Sequence, residues 1–310
     1  MSEARHPLLP YAAFVALALI WGVSFLLIKL AVQDMSPQVL LLLRSASGCV
    51  ALGAIVMVMR GRLFSPGWRG YLFGFAFMAV TNAVIPWTSI AWGEERISSG
   101  LASILNSTTT LWTAVLIYWV MPSERPTFIN YLGVVIGFAG VVILVFPDVA
   151  AHGITGDVLG ALAVVLASLS YSVNALYQRR KMRSVSVFDI SLGQLVFSTL
   201  FALPIAVTTL PQMHVRPLSL AAVLALGAAG TGVAYLLYYY VMNSLGAVRA
   251  AGVTFLVPVT AVFWGVVLLH ETLSVTIVAG MVVILAGIVL TNLRRSRPRE
   301  AALERDSAAA

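Results

Sequence analysis

The amino-acid sequence predicts an all-α polytopic membrane protein with ten transmembrane helices, arranged as two inverted five-helix repeats. Three observations predict it. Hydrophobic residues make up 60% of the 310 and charged residues only 10%, far from the balance of a water-soluble domain. So much apolar surface has lipid as its natural solvent. The apolar residues also fall into ten runs, each near the roughly 20 residues a helix needs to cross hydrocarbon. Finally, the two halves of the chain repeat one pattern of polar, acidic and glycine residues.

The runs in the first half are Tyr11–Leu30, Pro37–Met59, Gly70–Trp92, Ser98–Met121 and Thr127–Phe146. In the second half they are Val158–Tyr177, Val187–Thr209, Leu218–Met242, Ala250–His270 and Val275–Leu293. Short connections carry breakers: Ser36-Pro37, Gly61, Ser65-Pro66, Pro122, Pro126, Pro147, Gly153, Pro211 and Pro217. The first run lacks a small-residue cleavage site after a short core and reads as a retained helix. The division is therefore residues 1–150, residues 151–295, and an Arg-, Glu- and Ala-rich tail, 296–310, expected to be disordered and cytoplasmic.

Positive charge in short loops orients a membrane protein. With the N-terminus in the cytoplasm, 15 of the 19 basic residues fall on the cytoplasmic side, in groups such as Arg60, Arg62 and Arg69 or Arg179, Arg180, Lys181 and Arg183. Lys29, Arg96 and Arg216 remain outside, and Arg44 lies within a span. Both termini are thus expected in the cytoplasm of a bacterial-type inner membrane. The net charge of +7 is confined to these clusters, which fits an anionic leaflet and not nucleic acid. The single cysteine, Cys49, excludes an internal disulfide and a multi-cysteine metal site. No metal or cofactor is expected.

A shift of 150 residues aligns Trp21 with Tyr171, Ser24 with Asn174 and Arg44 with Gln194. A shift of 147 aligns Thr113-Ala114-Val115 with Thr260-Ala261-Val262, Glu124 with Glu271, Gly133 with Gly280, and Gly140 with Gly287. Five spans per half is an odd number, so the second half enters the membrane upside down. Inverted repeats mark secondary transporters, with the substrate site near the midplane. A phosphate-binding Gly-rich loop is missing, as is a soluble domain to hold one.

Trp21-Gly22-x-Ser24, Lys29, Arg44, and a Glu followed nine residues later by Gly on the last helix pair of each half resemble the EamA-type drug/metabolite transporter superfamily, over about Ala12 to Leu293. The resemblance implies a ten-helix basket-like bundle that exports small metabolites, amino acids above all. One departure is Pro258, whose counterpart in the first half is Leu111.

Polar and aromatic groups at membrane depth are the candidates for a substrate site, because lipid disfavours them. Trp21, Ser24, Arg44, Asn82, Asn106, Tyr171, Asn174, Gln194 and Tyr235 are the expected lining, with Pro86 and Pro258 as hinges. The competing reading is that they glue helices together, which is weakest for Asn106, Asn174 and Gln194, since a buried amide has four hydrogen-bonding sites to fill. Arg44 would attract a carboxylate. Lys29 reads as a snorkelling side chain at a helix end, Glu124 and Glu271 as structural residues of tight turns, and the paired glycines as close-packing faces.

No acid is expected at mid-membrane; Glu94 and Glu95 are placed in or near an outer loop, and His270 is the nearest titratable candidate. That inventory favours a facilitator over a proton-coupled carrier. The substrate expected is an amino acid with an apolar or aromatic side chain. The alternatives are an exporter of hydrophobic cations or drugs, which lacks a buried counter-charge here; a membrane enzyme, which lacks a His, Asp or Cys cluster; and a receptor, which does not need an inverted repeat.

Overall fold

The computed structural model describes residues 8–121, 126–209, 216–246, 250 and 252–293. Ten helical spans follow one another among them: α1 Leu9–Ala31, α2 Pro37–Arg60, α3 Trp68–Glu94, α4 Ser99–Val120, α5 Phe128–His152, α6 Gly156–Lys181, α7 Val187–Thr209, α8 Pro217–Leu245, α9 Val253–Leu269 and α10 Val275–Asn292. Nine are long and apolar enough to cross a membrane, and α9 is a shorter apolar helix of 17 residues. No strand occurs among the described residues. Glu124, Arg125, Pro122, Pro211, Arg249 and the tail 296–310 lie outside them.

Local chemistry starts several of these helices. Ser36, Ser98 and Ser274 each sit in extended backbone and accept a hydrogen bond from the amide three residues on, Val39, Leu101 and Ile277, filling donors that a helix start leaves empty. Gly61 ends α2 at φ 66°, a left-handed conformation that suits glycine. Pro147 was expected to end the fifth span. Instead α5 runs through it to His152 and stops at Gly153, with φ 72°. One lost backbone bond near a helix end is tolerated when the continuing turns retain theirs.

Helix pairing follows the repeat. α1 lies against α9 and α8; in the other half, α6 lies against α4 and α3. α2 packs on α7, α5 on α10, α2 on α8, and α7 on α3. Exchanging α1 with α6, α2 with α7, α3 with α8, α4 with α9 and α5 with α10 maps these contacts onto themselves, as two inverted five-helix units require. The match is incomplete, because α5 and α10 both lie against α4. Outward faces carry exposed apolar side chains such as Val58, Phe73, Val135, Phe146 and Val282, the surface of a multi-pass membrane protein.

The seams are built from small residues. On α5 and α10, a Cβ on Gly133 would meet backbone at Gly287 and Thr291, and one on Gly287 would meet backbone at Gly137. On α1, Gly22 faces Thr260, whose hydroxyl donates to the Ala18 carbonyl at 3.0 Å. The equivalent α4–α6 seam is polar too: the Thr108 and Ser168 hydroxyls share a hydrogen bond at 2.7 Å, and Ser172 Oγ donates to the Thr109 carbonyl at 2.7 Å.

Three elements depart from regular α-helix. α3 contains a π-helical segment, Val80–Val84, and α8 contains another, Ala228–Val233. Val80 and Ala228 are 148 residues apart, so the two segments are repeat partners. α4 breaks at Ser107-Thr108, four residues before Leu111. Pro258, at the position of Leu111 in the repeat, is buried within an unbroken α9.

Outside the spans, Asp34 in the α1–α2 turn accepts from Arg216 Nε at 2.8 Å and from the Ser219 hydroxyl. The Arg216 hydrogen bond, followed by that of Ser219, holds the Asp34 carboxyl below its ordinary 3.8. Because the folded value is depressed, this contribution is present above the unfolded value and lost as pH falls through the folded one. Asp34→Asn should lower the Tm of the detergent-solubilised protein at pH 7, with the gap to the parent closing only below about 3.8; a gap independent of pH contradicts the linkage. At the α5–α10 seam, Gly287→Ala should destabilise by about 1–3 kcal/mol in thermal unfolding. Gly70→Ala, with nothing within 4 Å, should be neutral; equal effects would discount the close approach.

Candidate functional site

The π-helical segment of α3 is where the site begins. Ile85 N–H reaches back five residues to the Val80 carbonyl, and the next residue, Pro86, has no N–H to offer. The Thr81 carbonyl is therefore without a helical donor. Ser170 on α6 fills it, its hydroxyl donating at 2.8 Å. The bulge turns Asn82 toward the neighbouring helices, consistent with the frequent occurrence of π-bulges at functional sites.

From Asn82 a chain of hydrogen bonds crosses four helices. Asn174 Nδ2 on α6 donates to Asn82 Oδ1 at 3.1 Å, and Asn82 Nδ2 donates to Gln194 Oε1 on α7 at 3.1 Å. Gln194 Nε2 then donates to the Tyr235 hydroxyl on α8 at 3.0 Å. At the other end, Thr81 Oγ1 approaches Asn174 Oδ1 at 3.4 Å while donating to its own helix at Phe77. Asn174 and Gln194 are buried, whereas Asn82, Tyr171 and Tyr235 keep accessible surface. The Tyr235 hydroxyl accepts from Gln194, so its proton remains available to a further acceptor.

Arg44 stands beside this chain. It is 9% exposed, its guanidinium lies over the Trp87 ring at 3.8 Å from the centroid, and its buried Nε has no hydrogen-bond partner among the described residues. The indole of Trp87 in turn reaches the Tyr171 hydroxyl, and Tyr171 and Tyr235 are electrostatic neighbours of Arg44. Cation–π contact with Trp87 supports the guanidinium without neutralising it. Its positive charge remains for an anionic group.

Asn82, Asn174, Gln194 and Tyr235 are thus joined directly, with Arg44 and Tyr171 alongside. Trp21 instead packs on Tyr238, ring centroids 5.7 Å apart, one helical turn from Tyr235. Ser24 donates to its own helix at Ile20, 2.9 Å, and faces Gly230 in the second π-helical segment. Asn106 closes the first piece of α4 with a buried Oδ1 that has no partner among the described residues. Thr81 and Ser170 belong to the chain although the sequence pattern does not single them out. The only trace of their role is Pro86, five residues beyond Thr81.

Two charged residues differ from expectation. Lys29 does not snorkel: its Nζ turns inward and donates to the carbonyls of Glu94 and of Ile97, the latter at 2.8 Å. The last carbonyls of α3 lack helical donors, and a cation there answers both that vacancy and the helix dipole. Glu94, expected in or near a loop, is 0% exposed and closes α3 inside the bundle. Glu271 accepts from the first amides of α4, Ser99 N at 2.7 Å and Gly100 N at 3.1 Å, a structural use that agrees with its position at a turn. His270 is an exposed residue at φ 54° ending α9. No group of three or more potential metal ligands occurs among the described residues.

A two-fold helical bundle with a polar chain through its middle defines an integral membrane carrier. The EamA-like transporter family matches residues 8–146 and again 158–293, and the chain belongs to that family; it is a membrane transporter. Among similar proteins, "Uncharacterized transporter YoaV" of Bacillus subtilis (strain 168) is 22% identical over 285 residues, covering 91% of this chain and 96% of that one. "Uncharacterized inner membrane transporter YedA" of Escherichia coli (strain K12) is 24% identical over 294 residues, covering 92% of each. A solved crystal structure with 19% identity superposes with a TM-score of 0.63 over 93% of this chain and 98% of that one, a likeness of fold.

Ser170→Ala removes the donor to Thr81 and leaves a buried carbonyl empty. It should destabilise by about 1–3 kcal/mol in thermal or denaturant unfolding, whereas Thr208→Ala, whose exposed hydroxyl bonds only its own helix, should stay within about 0.5 kcal/mol of the parent. Equal losses would show that the π-helical segment does not depend on α6.

Proposed function

We propose that this transporter exports small amphipathic metabolites, amino acids with apolar or aromatic side chains, by alternating access. The observation that carries the reading is the Asn174–Asn82–Gln194–Tyr235 chain with Arg44 held on Trp87 beside it. Arg44 receives the substrate carboxylate through charge-assisted hydrogen bonds. The Tyr235 hydroxyl and the amides present donors and acceptors to the rest of the backbone-like end, and Trp21, Tyr171 and Tyr238 offer aromatic surface to the side chain. Asn106, with its unsatisfied carbonyl oxygen, adds an acceptor from α4.

Motion in this reading comes from the irregular turns. The π-helical segment before Pro86, its partner in α8 and the break at Ser107-Thr108 are places where helical bonds are already rearranged, so they bend at lower cost than an intact helix. Pro258 serves the same purpose in α9. The positive-inside distribution supports a bacterial inner membrane with both termini in the cytoplasm.

In liposomes preloaded with labelled L-phenylalanine, the full-length protein should release label at a rate that empty liposomes do not reach; equal rates across a panel of amino acids sink the reading. Arg44→Gln should raise the KM for phenylalanine by roughly tenfold or more, the worth of a charge-assisted hydrogen bond. It should leave competition by the corresponding amine, which has no carboxylate, unchanged. Gln194→Ala and Trp21→Ala should alter preference among amino acids while retaining the parent's monodisperse elution. Parent-like selectivity in both would remove these residues from the lining.

A further inference from the structure

Glu94 is 0% exposed, and neither of its carboxylate oxygens has a hydrogen-bond partner among the described residues. The other buried acid of a span among the described residues, Asp189, accepts from Arg60 at 3.4 Å and from Ser65 N at 3.2 Å. Glu271 accepts from two amides. Glu94 therefore stands apart from the acids that the fold uses for its own support.

Its surroundings sharpen the point. Lys29 from α1, Arg44 from α2 and Glu271 from the α9–α10 turn are the charged groups that act on it. Lys29 gives its ammonium to the Glu94 and Ile97 backbone carbonyls, and Arg44 lies on Trp87. Glu95 and Arg96, next in the chain, pair with each other at 2.8 Å. From α6, Gly160 meets the backbone of Gly93, and Asp157 is exposed at the start of that helix. No donor among the described residues is directed at the Glu94 oxygens. A carboxylate ionised in such a place loses its water and gains no hydrogen bond in return, which is strongly unfavourable. The neutral carboxylic acid fits the site as it stands. With no accessible oxygen, the group is closed to a substrate ammonium and open only to a ligand as small as a proton.

We propose that Glu94 is the proton-carrying site of this transporter, coupling export to proton entry. The inference rests on the transport reading above but not on the identity of the substrate. In the conformation described here Glu94 holds a proton and Lys29 is occupied by the two carbonyls. When the bundle opens to the cytoplasm, the acid gives its proton to water on that side, and the resulting carboxylate takes the Lys29 ammonium from the carbonyls. When the bundle opens to the outer side, where the α3–α4 turn lies, the carboxylate takes a proton from water there and releases Lys29 to the carbonyls, so one proton enters per cycle and no other bond is made or broken. The switch is the choice of Lys29 between two backbone carbonyls and one carboxylate.

Infrared difference spectra of the purified full chain in lipid test the site without any substrate. A carboxylic-acid carbonyl band at neutral pH should vanish in Glu94→Gln and shift in Glu94→Asp; a parent spectrum without such a band overturns the proposal. The coupling is tested with labelled L-phenylalanine in the same liposomes under an imposed pH gradient. One-for-one exchange sustains about a tenfold substrate gradient per pH unit. In Glu94→Gln that accumulation should fall to none, while exchange of labelled for unlabelled phenylalanine continues. Accumulation indifferent to the pH gradient in the parent, or retained in Glu94→Gln, overturns the coupling. If Glu94→Gln is not recovered folded, Glu94→Asp decides both: its band should shift and the pH dependence of its accumulation should change, and a band and a pH dependence identical to the parent's overturn the proposal. Should the parent carry no amino acid, the substrate reading falls alone, and the infrared band still decides whether Glu94 holds the proton.

Discussion

Lipid offers no hydrogen bonds, so every backbone group that leaves the helical ladder within the membrane has to be answered by the protein itself. This constraint governs most of the structure's polar chemistry. The π-helical turn in α3 and Pro86 together leave the Thr81 carbonyl without a helical donor, and Ser170 answers from α6. The C-terminal carbonyls around Glu94 and Ile97 are answered by Lys29, and the first amides of α4 by Glu271 from another helix pair. Asn130, at the start of α5, donates to the last carbonyls of α10. Each answer crosses between helices, so satisfying the backbone also fixes which helices are neighbours.

The site is a consequence of the same constraint. A bulge that frees a carbonyl also rotates the residues after it, and Asn82 lies within that bulge. Once an amide is buried at mid-membrane it needs several partners, and Asn174, Gln194 and Tyr235 supply them in a chain from α6 through α3 and α7 to α8. Arg44 is treated differently. It is supported on the Trp87 face, and its Nε is left unsatisfied. An unfilled donor beside a filled polar chain is the feature on which the proposed substrate role of Arg44 rests.

The repeat is most regular where it is structural. The α1–α9 and α4–α6 seams, the α5–α10 glycine faces and the two π-helical segments are related by one exchange of halves. Symmetry fails where Arg44 stands opposite Gln194, and where α4 is broken while α9 runs unbroken through Pro258.

Much of this was legible in the sequence. Ten apolar runs of bilayer length define ten spans because hydrocarbon thickness is fixed, and the 147- to 150-residue shifts disclose the repeat because paired glycines and acids recur at fixed intervals. Asn82, Asn174, Gln194, Tyr235 and Arg44 stand out because polar residues are rare at membrane depth. The partners were not legible. Ser170 resembles any interface serine, and only the bulge next to Pro86 gives its hydroxyl a purpose. Lys29 lies at a helix end where snorkelling is the default, and Glu94 one residue from an exposed ion pair; whether each faces lipid headgroups or the bundle depends on how α1, α3 and α4 meet. Periodicity along one helix specifies which residues share a face. What that face meets is decided by packing between helices far apart in the chain, and so the spans and their repeat belonged to the sequence, while the polar chain and the buried acid belonged to the tertiary structure.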